Sequence, residues 1–296
     1  MVSLTGVKKF RLRKTAFVLS GGGRLGSVQV GMLKALFEHG VAPDLCVGTS
    51  VGAINAAYLC GNPTMSGITD LERIWLSVNQ KDILPVGLIR SVLQILRGKN
   101  YLISQNGLRT LLEEHIHYTT FTDAAIPCLI MATDILTGEQ IVLTKGNIID
   151  AVLASTALPG IYEPVSMNGR ILMDGGISSN TPLSAAVEYG ATEIYVFPAG
   201  YPRVLIKTPD TILRMLMHSL NILIGQQFLR DIEIYQNEIP IYIIPPVILN
   251  QKLPNNLSRT AELLKLSYKN TKQWIDSGEI DKFKIPGRLL IQNQWL

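Results

Sequence analysis

The stretch Leu45-Cys46-Val47-Gly48-Thr49-Ser50-Val51-Gly52-Ala53-Ile54-Asn55-Ala56-Ala57-Tyr58-Leu59-Cys60 decides the fold. Leu45 to Val47 reads as a short buried strand. Gly48 to Gly52 is a glycine-framed turn, and Ala53 to Cys60 reads as a helix stopped by Gly61-Asn62-Pro63. The same order stands once upstream. Thr15 to Leu19 reads as a strand and Gly21 to Gly26 as a turn, while Val28 to Glu38 carries apolar residues at helical spacing before Gly40. Strand, glycine turn and helix, twice in succession, predict an α/β fold with a mainly parallel sheet.

Downstream, residues 66–120 are predicted helical, with an apolar stripe at Leu71, Ile74, Trp75 and Val78, a strongly apolar run at Ile83 to Leu96, and an amphipathic segment at Leu108 to His117. Strands are expected at Pro127 to Ala132, Glu139 to Leu143, Arg170 to Met173 and Glu193 to Phe197. Leu213 to Leu229 reads as a long apolar helix, Pro240 to Pro245 brackets a last β-rich run, and 258–276 reads as a closing amphipathic helix. The expected organisation is a basic arm over 1–14, a main unit over 15–205 and an extension over 206–296 packed on it. Asn62 to Met65 and Gly200 to Pro209 read as loops.

Composition narrows the function. The chain has 296 residues, 47% apolar and 17% charged, which suits one large globular unit and excludes a disordered charged protein. No apolar stretch reaches the ~18 residues of a membrane span, and Ala16 to Leu19 is too short for the core of a signal peptide. The net charge of +4 comes from Lys8, Lys9, Arg11, Arg13 and Lys14; without them 22 basic residues face 23 acidic ones. A near-neutral body argues against nucleic acid as a partner. The arm reads as a solvated leader or as a contact for an anionic membrane surface. Cys46, Cys60 and Cys128 lie among apolar neighbours without metal-ligand spacing, so buried thiols and a reducing, cytoplasmic setting are expected, with no metal.

Gly48-Thr49-Ser50-Val51-Gly52 fits the GxSxG elbow, in which a serine on a sharp strand-to-helix turn is exposed for attack. Small residues on either side let strand and helix approach closely, so Gly48 and Gly52 support Ser50. Such a serine needs a base. His218 is the downstream histidine that could complete a triad, and it sits in the apolar stretch Arg214 to Leu220, where a helix-face or core role is the ordinary one. Asp174 is the alternative: Ile171-Leu172-Met173-Asp174-Gly175-Gly176 places a carboxylate at a strand end before two glycines, where it could take the serine proton directly. Gly21-Gly22-Gly23-Arg24-Leu25-Gly26 fits GxGxxG, which cradles a dinucleotide pyrophosphate or forms an oxyanion hole from backbone N–H groups. The dinucleotide reading wants an acid ending the second strand, whereas Asp44 precedes it.

These blocks together resemble the patatin-like phospholipase family over about residues 15–200. They run in order: Leu19 to Gly31, Gly48 to Gly52, Ala154-Ser155-Thr156-Ala157-Leu158-Pro159-Gly160-Ile161-Tyr162-Glu163-Pro164-Val165, and Asp174-Gly175-Gly176. The resemblance implies a three-layer α/β/α fold with added C-terminal helices. It implies a serine–aspartate dyad of Ser50 as nucleophile and Asp174 as proton acceptor, with no catalytic histidine. Gly21, Gly22, Gly23 and Arg24 would supply the oxyanion hole, while Gly26, Gly175, Gly176 and Pro159 would support the motifs. The implied activity is lipid acyl hydrolysis through an acyl-enzyme, of phospholipase A, lysophospholipase or carboxylesterase type, without a cofactor. Phospholipid or lysophospholipid would be the substrate, and peripheral membrane contact would follow. One departure stands out: family members often carry Arg or Lys just before the last glycine of the first block, where this chain has Leu25. The competing readings are an α/β-hydrolase esterase with a His218 triad, and a lipid- or nucleotide-binding protein without catalysis. No oligomeric state follows from the sequence.

Overall fold

The structure is a computed structural model that describes residues 13–78, 101–200, 208–247 and 258–278. The apolar run Ile83 to Leu96, and Lys8 to Arg11 of the arm, lie outside the described residues.

Strands β1 (Thr15–Leu19), β2 (Leu45–Thr49) and β7 (Glu193–Phe197) are buried along their whole length. Their near-continuous apolar sequences follow, because both faces of a parallel sheet are covered. Phe17, Leu19, Tyr195 and Phe197 turn to one core, and Ala16, Val18, Ile194 and Val196 to the other. Rows of side chains pack across neighbouring strands, with the Phe17 and Phe197 rings 4.7 Å apart. β3 (Cys128–Asp134), β4 (Gln140–Leu143), β5 (Val165–Met167), β6 (Arg170–Asp174) and β8 (Ile241–Ile243) complete an eight-stranded sheet among the described residues, in the order β5-β6-β3-β2-β1-β7-β8 with β4 also on β3. From β3 to β8 the strands run parallel, while β4, β5 and β6 form an antiparallel flank.

One face is covered by α1 (Gly26–Glu38), α2 (Val51–Gly61), α3 (Met65–Ser77), α4 (Asn106–His115), α5 (Ile148–Ser155) and α8 (Ser258–Asp276). The other carries α6 (Leu183–Glu188) and α7 (Ile212–Tyr235), through Leu183, Ala185, Ala186, Phe228 and Ile232. The three-layer α/β/α reading, with added C-terminal helices, therefore holds. α8 lies directly on α1: a Cβ on Gly31 would collide with Ser267 Oγ and the Leu264 carbonyl. That close crossing explains a glycine inside a helix.

Several local expectations shift. The region 66–120 is helical over α3 and α4, but Ile103 forms an isolated parallel β-bridge with Tyr162, and Leu102 and Ile103 donate their N–H groups to the Ile161 carbonyl. α5, α6 and β5 have no forecast in the sequence pattern. α5 does carry a start signal, since Asn147 Oδ1 accepts the N–H groups of Ile149 and Asp150. Arg13 and Lys14 are tied down: Arg13 Nε bonds Glu193 at 2.8 Å and Lys14 Nζ donates to the Tyr189 carbonyl. Cys46, Cys60 and Cys128 are buried and free, as expected.

Candidate functional site

The site is built on β3. β2 pairs with Cys128 to Met131, ending at Thr49 opposite Met131. β4 pairs with Ile130 to Thr133, so it occupies the other edge of β3. β6 pairs with Ala132 to Asp134 and must share the β2 edge, because β4 already holds Ala132 and Thr133 from the other side. β6 thus continues the edge where β2 leaves it. Asp174 is the register partner of Ala132, one step past the partner of Thr49. Ser50 follows Thr49, so the two residues meet at the same step of one strand.

Ser50 has φ 54° and ψ −123°, a positive φ that side chains rarely adopt. It begins α2, and close packing enforces the turn. A Cβ on Gly48 would sit 2.7 Å from Ala53 Cα, and one on Gly52 would collide with the Leu19 carbonyl. The Ser50 N–H donates to Ser155 Oγ at 2.9 Å. Asp174 is 4% exposed. Its Oδ1 accepts the Gly176 N–H at 2.7 Å, and the Ser50 side chain lies close enough to favour the ionised carboxylate. Burial pushes this carboxyl up to about 6, against the downward pull of Ser50 and the Gly176 N–H. Gly175 lies against the Met131 backbone with no room for a side chain.

The Ala154 to Pro164 block touches both residues. Besides the Ser155 contact with Ser50, the Ala157 carbonyl accepts the Asp174 N–H at 3.0 Å. Pro159 stands exposed in the turn that follows. Ser155 and Ala157 are site residues that the sequence marks only as part of a block.

The first glycine loop runs beside Ser50. A Cβ on Gly21 would lie 3.2 Å from Ser50 Cβ, and one on Gly22 would lie 2.5 Å from Ala199 Cβ. Gly21 is the exception among the expected oxyanion donors: its N–H donates to the Asn180 carbonyl at 3.1 Å. Among the described residues, the N–H groups of Gly22, Gly23 and Arg24 have no hydrogen-bond partner. The next turn packs tightly, since a Cβ on Gly26 would collide with Val51 and the Trp75 ring. Asn180 is a second neighbour that the sequence does not announce. It also donates from Nδ2 to the Gly21 carbonyl at 3.4 Å.

Asp44 lies at the opposite end of the sheet, where its carboxylate accepts the Thr15 N–H at 2.6 Å. It is therefore no partner for a nucleotide at the glycine loop. His218 sits on α7, and among the described residues no histidine hydrogen-bonds to Ser50 or Asp174. No group of three or more His, Cys, Asp or Glu among the described residues is arranged to hold a metal.

Comparison with known proteins agrees with this architecture. "Patatin-like phospholipase domain-containing protein 7" of Rattus norvegicus is 29% identical over 187 residues, which cover 62% of this chain and 13% of that protein. "Neuropathy target esterase sws" of Drosophila melanogaster is 28% identical over 185 residues, again 62% and 13%. The chain thus matches a small part of these long relatives. Among solved structures, VipD from Legionella pneumophila shares the fold with a TM-score of 0.51 at 14% identity, over 90% of this chain and 67% of that one. Residues 17–187 match the family model for patatin-like phospholipases. That span runs from β1 through the elbow and Asp174 to α6, more than half of the sequence, and the chain belongs to the patatin-like phospholipase family.

Proposed function

We propose that the chain is a serine lipid acyl hydrolase working through Ser50 and Asp174. The observation that carries this reading is the buried Asp174 carboxyl, brought by the strand register beside a serine on a strained elbow. A carboxyl lifted to about 6 is ionised at neutral pH yet basic enough to take a proton as attack proceeds. Ser50 Oγ attacks the ester carbonyl while Asp174 accepts its proton. The carbonyl oxygen becomes an oxyanion, and the N–H groups of Gly22, Gly23 and Arg24 are the donors open to it. Collapse expels the alcohol or lysolipid, which takes the proton, and leaves an acyl-enzyme. Asp174 then activates water to release the fatty acid. A backbone-built hole is indifferent to Leu25 standing where relatives carry a basic residue.

Family membership supports an ester of a lipid as substrate, a phospholipid or lysophospholipid in our reading. Contact with a lipid surface belongs to the same proposal. It is supported by exposed apolar residues on α7, namely Ile212, Met215, Leu216, Ile222 and Leu223. These recur at helical spacing on a helix whose Gln227 side chain donates to the Ser178 carbonyl, four residues from Asp174. No helix among the described residues is long and apolar enough to cross a membrane.

The test is turnover of a short-chain p-nitrophenyl ester. Ser50→Ala and Asp174→Asn are expected to lose about 10⁴-fold or more in kcat, and His218→Ala to keep wild-type activity. Loss in His218→Ala with Asp174→Asn still active would replace this mechanism with a triad.

A further inference from the structure

Two buried amides tie the glycine loop to the nucleophile's helix. Gln29 on α1 and Asn55 on α2 are both 0% exposed. Gln29 Nε2 donates to the carbonyls of Ser20 and Phe197, both at 2.8 Å. Asn55 Nδ2 donates to the Gly26 carbonyl at 3.0 Å and to Gln29 Oε1 at 2.8 Å. Ser20 and Gly26 are the residues on either side of the loop Gly21 to Leu25. One connected pair of side chains therefore grips the loop where it leaves β1 and where it enters α1.

The orientation of this pair is forced. The indole N–H of Trp75 on α3 donates to Asn55 Oδ1 at 2.9 Å. An indole N–H can only donate, and backbone carbonyls can only accept. Turning either amide over would face donor to donor or acceptor to acceptor, so the chain Trp75–Asn55–Gln29 has one direction. Asn55 lies five residues after Ser50, in the helix that the elbow starts. The pair thus fixes the distance between the serine and the loop's N–H groups without touching either.

We infer that Gln29 and Asn55 are positioning residues for the oxyanion loop, aimed through Trp75. The inference rests on the hydrolase reading above. It predicts a defect confined to transition-state stabilisation, because a displaced donor matters most when negative charge develops. The Ser50–Asp174 contact makes no use of the pair, so the pH dependence set by Asp174 should stay where it is.

The experiment compares ester turnover by wild type, Gln29→Met, Trp75→Phe and Ser50→Ala, with circular dichroism to confirm folding. Gln29→Met keeps the side-chain length and removes the donors. It is expected to lower kcat roughly 10-fold to 100-fold, the scale of an ångström-sized misplacement. KM should stay within about twofold, and the pH midpoint should not move, if only transition-state contacts are lost. Wild-type kcat in folded Gln29→Met would overturn the inference, as would a shifted pH midpoint, which would signal general damage to the site. Should Gln29→Met fail to fold, Trp75→Phe decides. It removes the indole N–H while keeping an aromatic ring, and about 3-fold to 10-fold lower kcat is expected from a loosened donor, with wild-type kcat overturning the idea. Full activity in Ser50→Ala would instead sink the hydrolase reading itself, a result separable from failure of the positioning role.

Discussion

A carboxyl held near pH 6 has consequences for both rate and stability. If Asp174 is the base, kcat/KM for a soluble ester should rise through about pH 6 and level off above it, which a rate profile between pH 4.5 and 8.5 checks. The stability effect runs the other way. The folded state holds this proton more tightly than the unfolded chain, so the stabilising contribution is fully present below about pH 4 and lost as pH rises through about 6. Asp174→Asn removes the burden of a buried charge. Urea titrations should find it more stable than wild type at pH 8, by up to roughly 3 kcal/mol for a two-unit lift, with the gap closing toward pH 4. At this scale the sequence was largely readable. Ser50 and Asp174 each sit in a short motif whose glycines are chain neighbours, and those glycines are needed for local packing. Ser155 and Asn180 escape such reading, because their partners Ser50 and Gly21 lie more than a hundred residues away.

Elements explain how distant motifs converge. β2 and β6 share one edge of β3, and neither strand carries a mark of that arrangement in its own residues. Arg170 to Met173 is legible as a strand, yet its antiparallel direction and its pairing with Ala132 to Asp134 are properties of the sheet. α6 spans six residues, too few to show a helical period. α5 is apolar on nearly every face, so it lacks the polar stripe that betrays a surface helix. Its last residue, Ser155, is where it meets the elbow. Ser155→Ala leaves the Ser50 N–H without its acceptor, and an unsatisfied donor costs about 1–3 kcal/mol. Urea titrations should show the variant less stable by about 1–3 kcal/mol, and its kcat should fall, since the strained turn loses its support.

Across the whole molecule, alternate strand residues feed two cores, and that alternation was written in the sequence as uninterrupted apolar strands. Among the described residues, α7 exposes Ile212, Leu216 and Leu223 over more than half of their surface. If it meets lipid, Leu216→Glu together with Leu223→Glu should leave p-nitrophenyl ester turnover at the wild-type level. The same variant should lower hydrolysis of phospholipid vesicles about tenfold or more, given the apolar burial forfeited. Equal losses on both substrates would point to damage inside the protein. The shared edge of β3 carries one last implication, for the order in which the molecule comes apart. Ser50 and Asp174 flank the same peptide of an interior strand, so no hinge runs between them, and separating them means tearing the middle of the sheet. In native-state hydrogen exchange, the amides of Met131 and Ala132 should open only with global unfolding, while α7 exchanges through cheaper local openings. Ser50 and Asp174 would then be among the last acquaintances the chain gives up.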